Sequence, residues 1–381
     1  MPRPPLAPAP VPIRSSSGAA ITSMILGILS LVSCLAPLGI PAVIFGHVGR
    51  SRIRKSLGTI TGGGMAIAGL VTGYIGTLMT LGFAGLMIYG MLEDTKVTGK
   101  PEDLFPLPES GRITLPDLVG GELMEGTRVK IYEASASGGA PGGGTRFRIL
   151  VPVGEHAAGA LPCVLVAPAG SDLLSGMDLD EGDYFDETLP YAEAGMVVVS
   201  FSIDGPGGEN ESEAYQDFRH AGAGVANGWY AYQFASQKLP FVNPDRIFSA
   251  GHSSAGTLSL LLAAHLPGLA GSVAYAPACN LTTHFKEILD NPFTSFSYPR
   301  LEVFVKRASP LTHAAKTKVP VFVFGARDDD KVTSDEWRNY ARAVEDAGGN
   351  AEVKMVPEGG HYQSMIDDGI PAGIEWIRAR L

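Results

Sequence analysis

The chain has 381 residues, 45% hydrophobic and 18% charged, with a formal net charge of −10 and three cysteines. Nine of the 29 basic and six of the 39 acidic residues precede residue 119, which leaves 20 basic against 33 acidic side chains in the remainder; that balance repels a phosphate backbone and excludes nucleic acid as a partner. Three cysteines without metal-ligand spacing exclude a disulfide framework and a zinc site, and Cys34, Cys163 and Cys279 read as small buried apolar residues.

Residues 1–18 are rich in Pro, Ala and Ser and are expected to be disordered. They make no secretory signal, because the apolar region that follows is too long and no small-residue cleavage site closes it. Ile21 to Phe45 is almost free of charge and exceeds the roughly 20 residues that cross a bilayer, with Pro37 and Pro41 marking a kink or an end. Gly64 to Met91 is a second such run, dotted with glycine as close-packed membrane helices are. Residues 19–91 are therefore predicted as a two-helix transmembrane hairpin, with the lipid bilayer as partner. Arg50, Arg52, Arg54 and Lys55 lie between the runs and place that loop in the cytoplasm, which makes a two-pass inner-membrane protein with everything after residue 92 extracytoplasmic. A buried core hairpin of a larger soluble fold is the plainer alternative, and two long uncharged runs argue against it. This region resembles a small bacterial membrane domain of uncharacterised role, on the turn Gly39 to His47, the basic loop, and the stretch Gly64 to Tyr74. The resemblance implies a bacterial origin and a membrane anchor, and no chemistry.

Residues 92–118 are polar and punctuated by Pro101, Pro106, Pro108 and Pro116, a semi-extended tether. From 119 to 381 apolar strand-like runs alternate with helical patterns. Strands are predicted at 127–134, 146–153, 161–168, 195–203, 247–250, 272–276, 319–325 and 353–356, and the first two are joined by a Gly-rich loop at 138–144. Helices are predicted at 221–237, 257–265 and 370–381. Another runs from a capping box, Thr333 with Glu336, to Ala347, where Gly348 stops it. The alternation specifies an α/β domain with a mostly parallel sheet covered on both sides. Residues 279–318 fall outside it and carry Phe285, Phe293, Phe296, Tyr298 and Phe304. They read either as a lid over the site or as a helical excursion packed away from it.

The stretch Asp245 to Gly256 holds the strongest chemical signal: a short strand, a sharp turn and a helix, with Gly251 and Ala255 bracketing Ser253 two residues away on each side. This is the nucleophile-elbow pattern, where small neighbours are needed because the turn brings backbones together. Ser254 is the rival nucleophile, but its preceding bracket would be the bulky His252. A serine hydroxyl needs a base and the base an orienter, following in the order Ser, acid, His. The acid station is Gly325 to Val332. Counting forward from Gly325 favours Asp328, counting back from Val332 favours Asp329, and the strand end is the firmer anchor; Asp330 comes third. The base station is His361 in the Pro357 to Tyr362 loop, where Gly359 and Gly360 let an imidazole swing. His252 flanks the nucleophile and either lines the pocket or packs. The oxyanion donors expected are the backbone N–H of Ser254 and that of Gly170 or Ser171. The acidic stretch Asp172, Asp178, Asp180, Glu181, Asp183, Asp186 and Glu187 does not fit a calcium loop and reads as solvated.

On Asn243-Pro-Asp-Arg-Ile247, Gly251 to Gly256, the Gly325 to Val332 acid loop and Gly359-Gly-His361, residues 145–381 resemble the α/β-hydrolase superfamily, and within it the catalytic domain of prolyl oligopeptidase-type serine peptidases and related acyl esterases. The resemblance implies a serine hydrolase that cleaves a small ester or a peptide or amide bond through an acyl-enzyme, with no metal or organic cofactor. The gating β-propeller of the larger peptidases has no room here and no blade repeats mark it. The rival reading is a catalytically inactive binding or sensor module on the same anchor, against which the filled Ser, Asp and His stations count.

Overall fold

Glycine and serine occupy the helix contacts in the first of two units, residues 1–96. The computed structural model describes residues 14–95, 114–137, 144–180, 185–208, 210–291 and 294–381. The expected disorder of residues 1–13, most of the tether, residues 138–143 of the Gly-rich loop, Glu181, Asp183 and Phe293 lie outside them.

In the first unit β1 (Ser15–Ser16) pairs in parallel with β2 (Ile60–Thr61). Between them run α1 (Gly18–Leu29), a 3-10 turn (Ser33–Leu38) and α2 (Gly39–Lys55); α3 (Gly63–Thr95) follows. The first apolar run is thus not one spanning helix. It folds back on itself, and the unit has three helices where two were expected. The physical reason lies in Pro37 and Pro41: Pro37 sits in the 3-10 turn, and Pro41 sits in the first turn of α2, where its missing N–H is no loss. Hydroxyls tie the helices together, Ser23 Oγ donating to the Ala42 carbonyl at 2.8 Å and Ser30 Oγ to that of Thr72 at 3.3 Å. A Cβ on Gly69 would stand 2.4 Å from the Ser23 carbonyl carbon, so α1 and α3 approach as only glycine allows. The large apolar side chains point the other way: Ile25, Ile28, Ile44, Val71, Leu78, Leu81 and Leu86 are all exposed. Among the described residues one helix, Gly63–Tyr89, is long and apolar enough to cross a membrane.

The second unit, residues 97–381, is built on nine strands. In chain order these are β3 (Glu122–Leu123), β4 (Val129–Ser135), β5 (Arg146–Pro152), β6 (Leu161–Val166), β7 (Val197–Phe201), β8 (Val242–His252), β9 (Gly271–Tyr275), β10 (Val321–Ala326) and β11 (Ala351–Val356). They lie in the order β11-β10-β9-β8-β6-β7-β5-β4-β3, with the six from β11 to β7 parallel and the rest antiparallel. Side chains alternate between two cores. Cys163, Leu165, Val199, Ile247 and Val323 face one side; Val164, Val198, Phe248, Phe322 and Phe324 face the other. Both faces are buried, which is why these strands read as unbroken apolar runs.

Helix α4 (Phe185–Glu193) precedes β7, and α5 (Glu211–His220) and α6 (Val225–Lys238) follow it. Helix α7 (Ser253–His265) leaves β8. Five short helices lie between β9 and β10: α8 (Leu281–His284), α9 (Lys286–Leu289), α10 (Thr294–Ser297), α11 (Leu301–Arg307) and α12 (Pro310–His313). Helix α13 (Ser334–Asp346) separates β10 from β11, and α14 (Ile370–Arg378) closes the chain. Residues of α6, α7 and α13 join the first core, and those of α4 and α14 the second.

Three expectations are corrected here. The helix predicted from Ala221 begins at Val225, because Gly224 takes a left-handed φ of +85°, and α5 precedes it unforeseen. No capping box forms at α13. Thr333 makes no side-chain cap, and the Glu336 carboxylate accepts from the backbone N–H groups of Cys279 and Asn280 at 2.8 and 3.0 Å. Those amides sit in the turn after β9, where Cys279 is fully buried, and a carboxylate meets a larger need there than at an exposed helix start. The acidic stretch is not uniformly solvated: Asp178 and Asp180 pair with Arg146, and Glu187 is buried. The 279–318 segment is helical, and its Leu281, Phe285, Leu301, Phe304 and Val305 join the first core.

Candidate active site

Strand β8 runs without a break into α7, and the turn between them falls on Ser253, whose φ is +52°. A side-chain-bearing residue pays steric strain in that left-handed region. The turn is tight enough that a Cβ on Gly251 would stand 2.5 Å from the Ala255 carbonyl carbon, which accounts for the small residue there. Ser253 is left standing at the strand end with its hydroxyl outside the sheet.

The acid and base stations come together through the pairing of β10 with β11. Ala326 lies opposite Val356, and the Arg327 N–H donates to the Val356 carbonyl at 2.9 Å. The two strands end level, so the turn after one and the loop after the other leave side by side. His361 Nε2 lies 2.9 Å from Ser253 Oγ, and His361 Nδ1 lies 2.8 Å from Asp329 Oδ2. Asp329 Oδ1 accepts from the N–H groups of Lys331 and Val332 at 2.8 and 3.0 Å. The Asp329 side chain is 1% exposed and that of His361 18%. Burial pushes the Asp329 carboxyl up, but the His361 hydrogen bond, the two amides and the nearby imidazole outweigh it and hold it below the usual carboxylate range.

The argument for Asp328 from the strand end is corrected. Its carboxylate turns away from the imidazole and accepts from the N–H groups of Gly359 and Gly360 at 3.2 and 2.9 Å, holding the loop that carries His361. Asp330 pairs with Lys331 at the surface. Gly359 and Gly360 both take left-handed backbone, with φ of +117° and +63°.

The N–H groups of Gly170 and Ser171 both donate to Ser254 Oγ, at 3.1 and 3.2 Å. The loop after β6 is therefore fastened to the residue that follows Ser253. A narrow apolar cavity beside Ser254 is lined by Ser171, Phe218, Leu258, Leu281 and Ala308, so the segment after β9 forms part of its wall. His252 Nε2 lies 2.9 Å from the His361 carbonyl oxygen, and its Nδ1 lies 3.7 Å from Glu187 Oε1. Sequence reasoning left His252 undecided and put Glu187 in solvent. The missed signal is the four-residue spacing from Glu187 to Tyr191, which puts both on the buried face of α4. Among the described residues no group of three or more His, Cys, Asp or Glu gathers as metal ligands.

A hydroxyl in contact with an imidazole, itself in contact with a buried carboxylate, can lose its proton as it attacks a carbonyl carbon. Comparison with known proteins bears on the same region. Residues 183–374 match the model of the Prolyl oligopeptidase family, and residues 19–83 match a Domain of unknown function (DUF4190). Similar solved structures include the acetyl xylan esterase from Paenibacillus sp. R4, at 17% identity and a TM-score of 0.52 over 77% of this chain and 94% of that one. The acetyl xylan esterase 1 from Thermoanaerobacterium sp. JW/SL YS485 is 18% identical, with a TM-score of 0.50 over 76% and 93%. A puromycin hydrolase is 15% identical, with a TM-score of 0.51 over 70% and 48%. At such identities the likeness is one of fold, the α/β-hydrolase fold. No curated protein matches the chain.

Proposed function

The chain belongs to the prolyl oligopeptidase family and is a serine hydrolase, and from that premise we propose that Ser253, His361 and Asp329 form its catalytic triad. The observation that carries the reading is the unbroken chain of contacts from Ser253 Oγ through the imidazole to the Asp329 carboxylate. Ser253 Oγ attacks the carbonyl carbon of an ester or amide and passes its proton to His361 Nε2. Asp329 holds the Nδ1 proton in place and stabilises the imidazolium that forms. His361 then gives the proton to the departing alcohol or amine. Water releases the acyl group from Ser253 by the same steps in reverse. The Ser254 N–H is the first donor to the developing oxyanion. Gly170 or Ser171 supplies the second by turning from Ser254 Oγ as charge builds up on the substrate.

The test is labelling of the full chain by a fluorophosphonate probe. Modification at Ser253, lost in Ser253→Ala, supports the triad; equal labelling of the variant overturns it. A panel of p-nitrophenyl esters and dipeptidyl amides then separates esterase from peptidase.

The first unit reads as a membrane anchor. Its outer surface is isoleucine and leucine, and α3 at about 1.5 Å per residue is long enough for the hydrocarbon core. Ser15–Ser16 pairs beside the end of α2 that carries Arg52, Arg54 and Lys55, so α1 starts at the basic end, α2 returns to it and α3 leaves it. With basic residues on the cytoplasmic side, one crossing by α3 carries the hydrolase outward. A phosphatase fused after residue 100 is active under this reading, and an inactive fusion reverses it.

A further inference from the structure

We propose that His252 and Glu187 form a second His–carboxylate pair that positions the base His361, an inference resting on the triad assigned above. The argument begins at the elbow. Successive residues at the end of β8 both reach the same residue of the loop after β11: Ser253 Oγ meets the His361 ring at 2.9 Å, and His252 Nε2 meets the His361 carbonyl oxygen at 2.9 Å. A carbonyl only accepts, so His252 Nε2 carries a proton and donates it. One bond sets the imidazole of His361, and the other sets the backbone from which it springs.

The second nitrogen of His252 looks the other way. Glu187 Oε1 lies 3.7 Å from His252 Nδ1, longer than a direct hydrogen bond, and faces it inside the fold. The two side chains are 6% and 5% exposed, and an unpaired carboxylate so deeply buried is costly. The pair sets a carboxylate behind an imidazole as Asp329 stands behind His361, at 3.7 Å instead of 2.8 Å. Its ring packs at 4.8 Å from that of His361 and, edge to face, at 5.5 Å from that of Tyr362. Two elements therefore hold the loop, β8 through His252 and the turn after β10 through Asp328, which binds Gly359 and Gly360, and α4 backs His252 through Glu187. His252 and Glu187 touch no reacting atom; they keep the nucleophile and its base in register.

The test uses the full chain and three variants. His252→Leu removes the donor, His252→Gln keeps a side-chain N–H near the Nε2 position, and Glu187→Gln keeps shape without charge. The rate of fluorophosphonate labelling, kcat and KM on a p-nitrophenyl ester, and thermal melting are measured. A displaced base lowers kcat and the labelling rate by roughly tenfold to 100-fold in His252→Leu with KM little changed, since small misplacements of reacting groups cost about that much. His252→Gln restores most of the loss, and Glu187→Gln falls between. Wild-type rates in His252→Leu, or His252→Gln as slow as His252→Leu at an unchanged melting temperature, overturn the positioning role. Should His252→Leu fail to fold, wild-type kcat and labelling in Glu187→Gln overturn the pair. Persistent activity in Ser253→Ala instead removes the triad itself, a result distinct from all of these.

Discussion

In residues 18–89 the side chains at the helix contacts are Ala20, Ser23, Gly27, Gly69 and Gly73, while isoleucine and leucine face outward. In residues 129–377 valine, leucine and phenylalanine fill the sheet's two cores, with a few buried carboxylates, Glu187, Asp204 and Asp329, among them. Similar apolar residues serve opposite ends. Where water surrounds the fold, burying large apolar side chains drives it. Under the membrane-anchor reading the first unit's surroundings are themselves apolar, so that drive vanishes and close contact between small residues remains. The difference also divides labour: the contact chain of Ser253, His361 and Asp329 stands in the second unit, at the ends of strands in an apolar sheet.

Four experiments break or sharpen this contrast. The largest effect belongs to Asp329→Asn, which leaves the imidazole without its carboxylate and lowers kcat about 10⁴-fold; Asp328→Asn, which only weakens the hold on Gly359 and Gly360, costs about tenfold. Steady-state rates measure both, and equal losses would erase the distinction between triad acid and loop clamp. Gly69→Leu drives a side chain into the Ser23 backbone and destabilises the first unit by about 3 kcal/mol, read by melting in detergent, while hydrolysis stays at the wild-type rate. A variant that melts normally would show that close contact does not hold α1 to α3. Glu336→Ala strands the Cys279 and Asn280 amides and costs the second unit about 2 kcal/mol, read by thermal unfolding. An unshifted transition would mean that water replaces the carboxylate there.

The smallest effect is one of pH. The Asp329 carboxyl is held below its unfolded value, so its contribution to stability is present above the usual carboxylate range and fades as pH falls through the depressed folded value. Asp329→Asn should flatten the acid limb of a melting-temperature profile. A limb of unchanged steepness would assign acid unfolding to other groups.

The elbow and the central strands were legible for physical reasons. A strand buried on both faces must be apolar at every position, as Val321 to Phe324 are, and a turn as tight as that at Ser253 admits only small brackets. Which aspartate meets the imidazole was not legible, because Asp328 and Asp329 are neighbours on one turn and their partners, His361 and the Gly359 and Gly360 amides, come from the loop after another strand. Nor was the folding-back of the first apolar run. Hydropathy carries no direction, and a bent run of Ile21 to Phe45 scores as a straight one does; Pro37 and Pro41 were the trace of the bend. Glu336 shows the same limit from another side, since its local capping pattern lost to amides 56 and 57 residues away.

The left-handed backbone at Ser253 leaves a mark on the whole domain. Glycine enters φ of +52° freely, whereas serine does so at a cost of about 1–2 kcal/mol. A Ser253→Gly chain, inert as an enzyme, should therefore outlast the natural one on heating. Under the proposed triad, that strain is what it costs the fold to present a hydroxyl at the end of a strand.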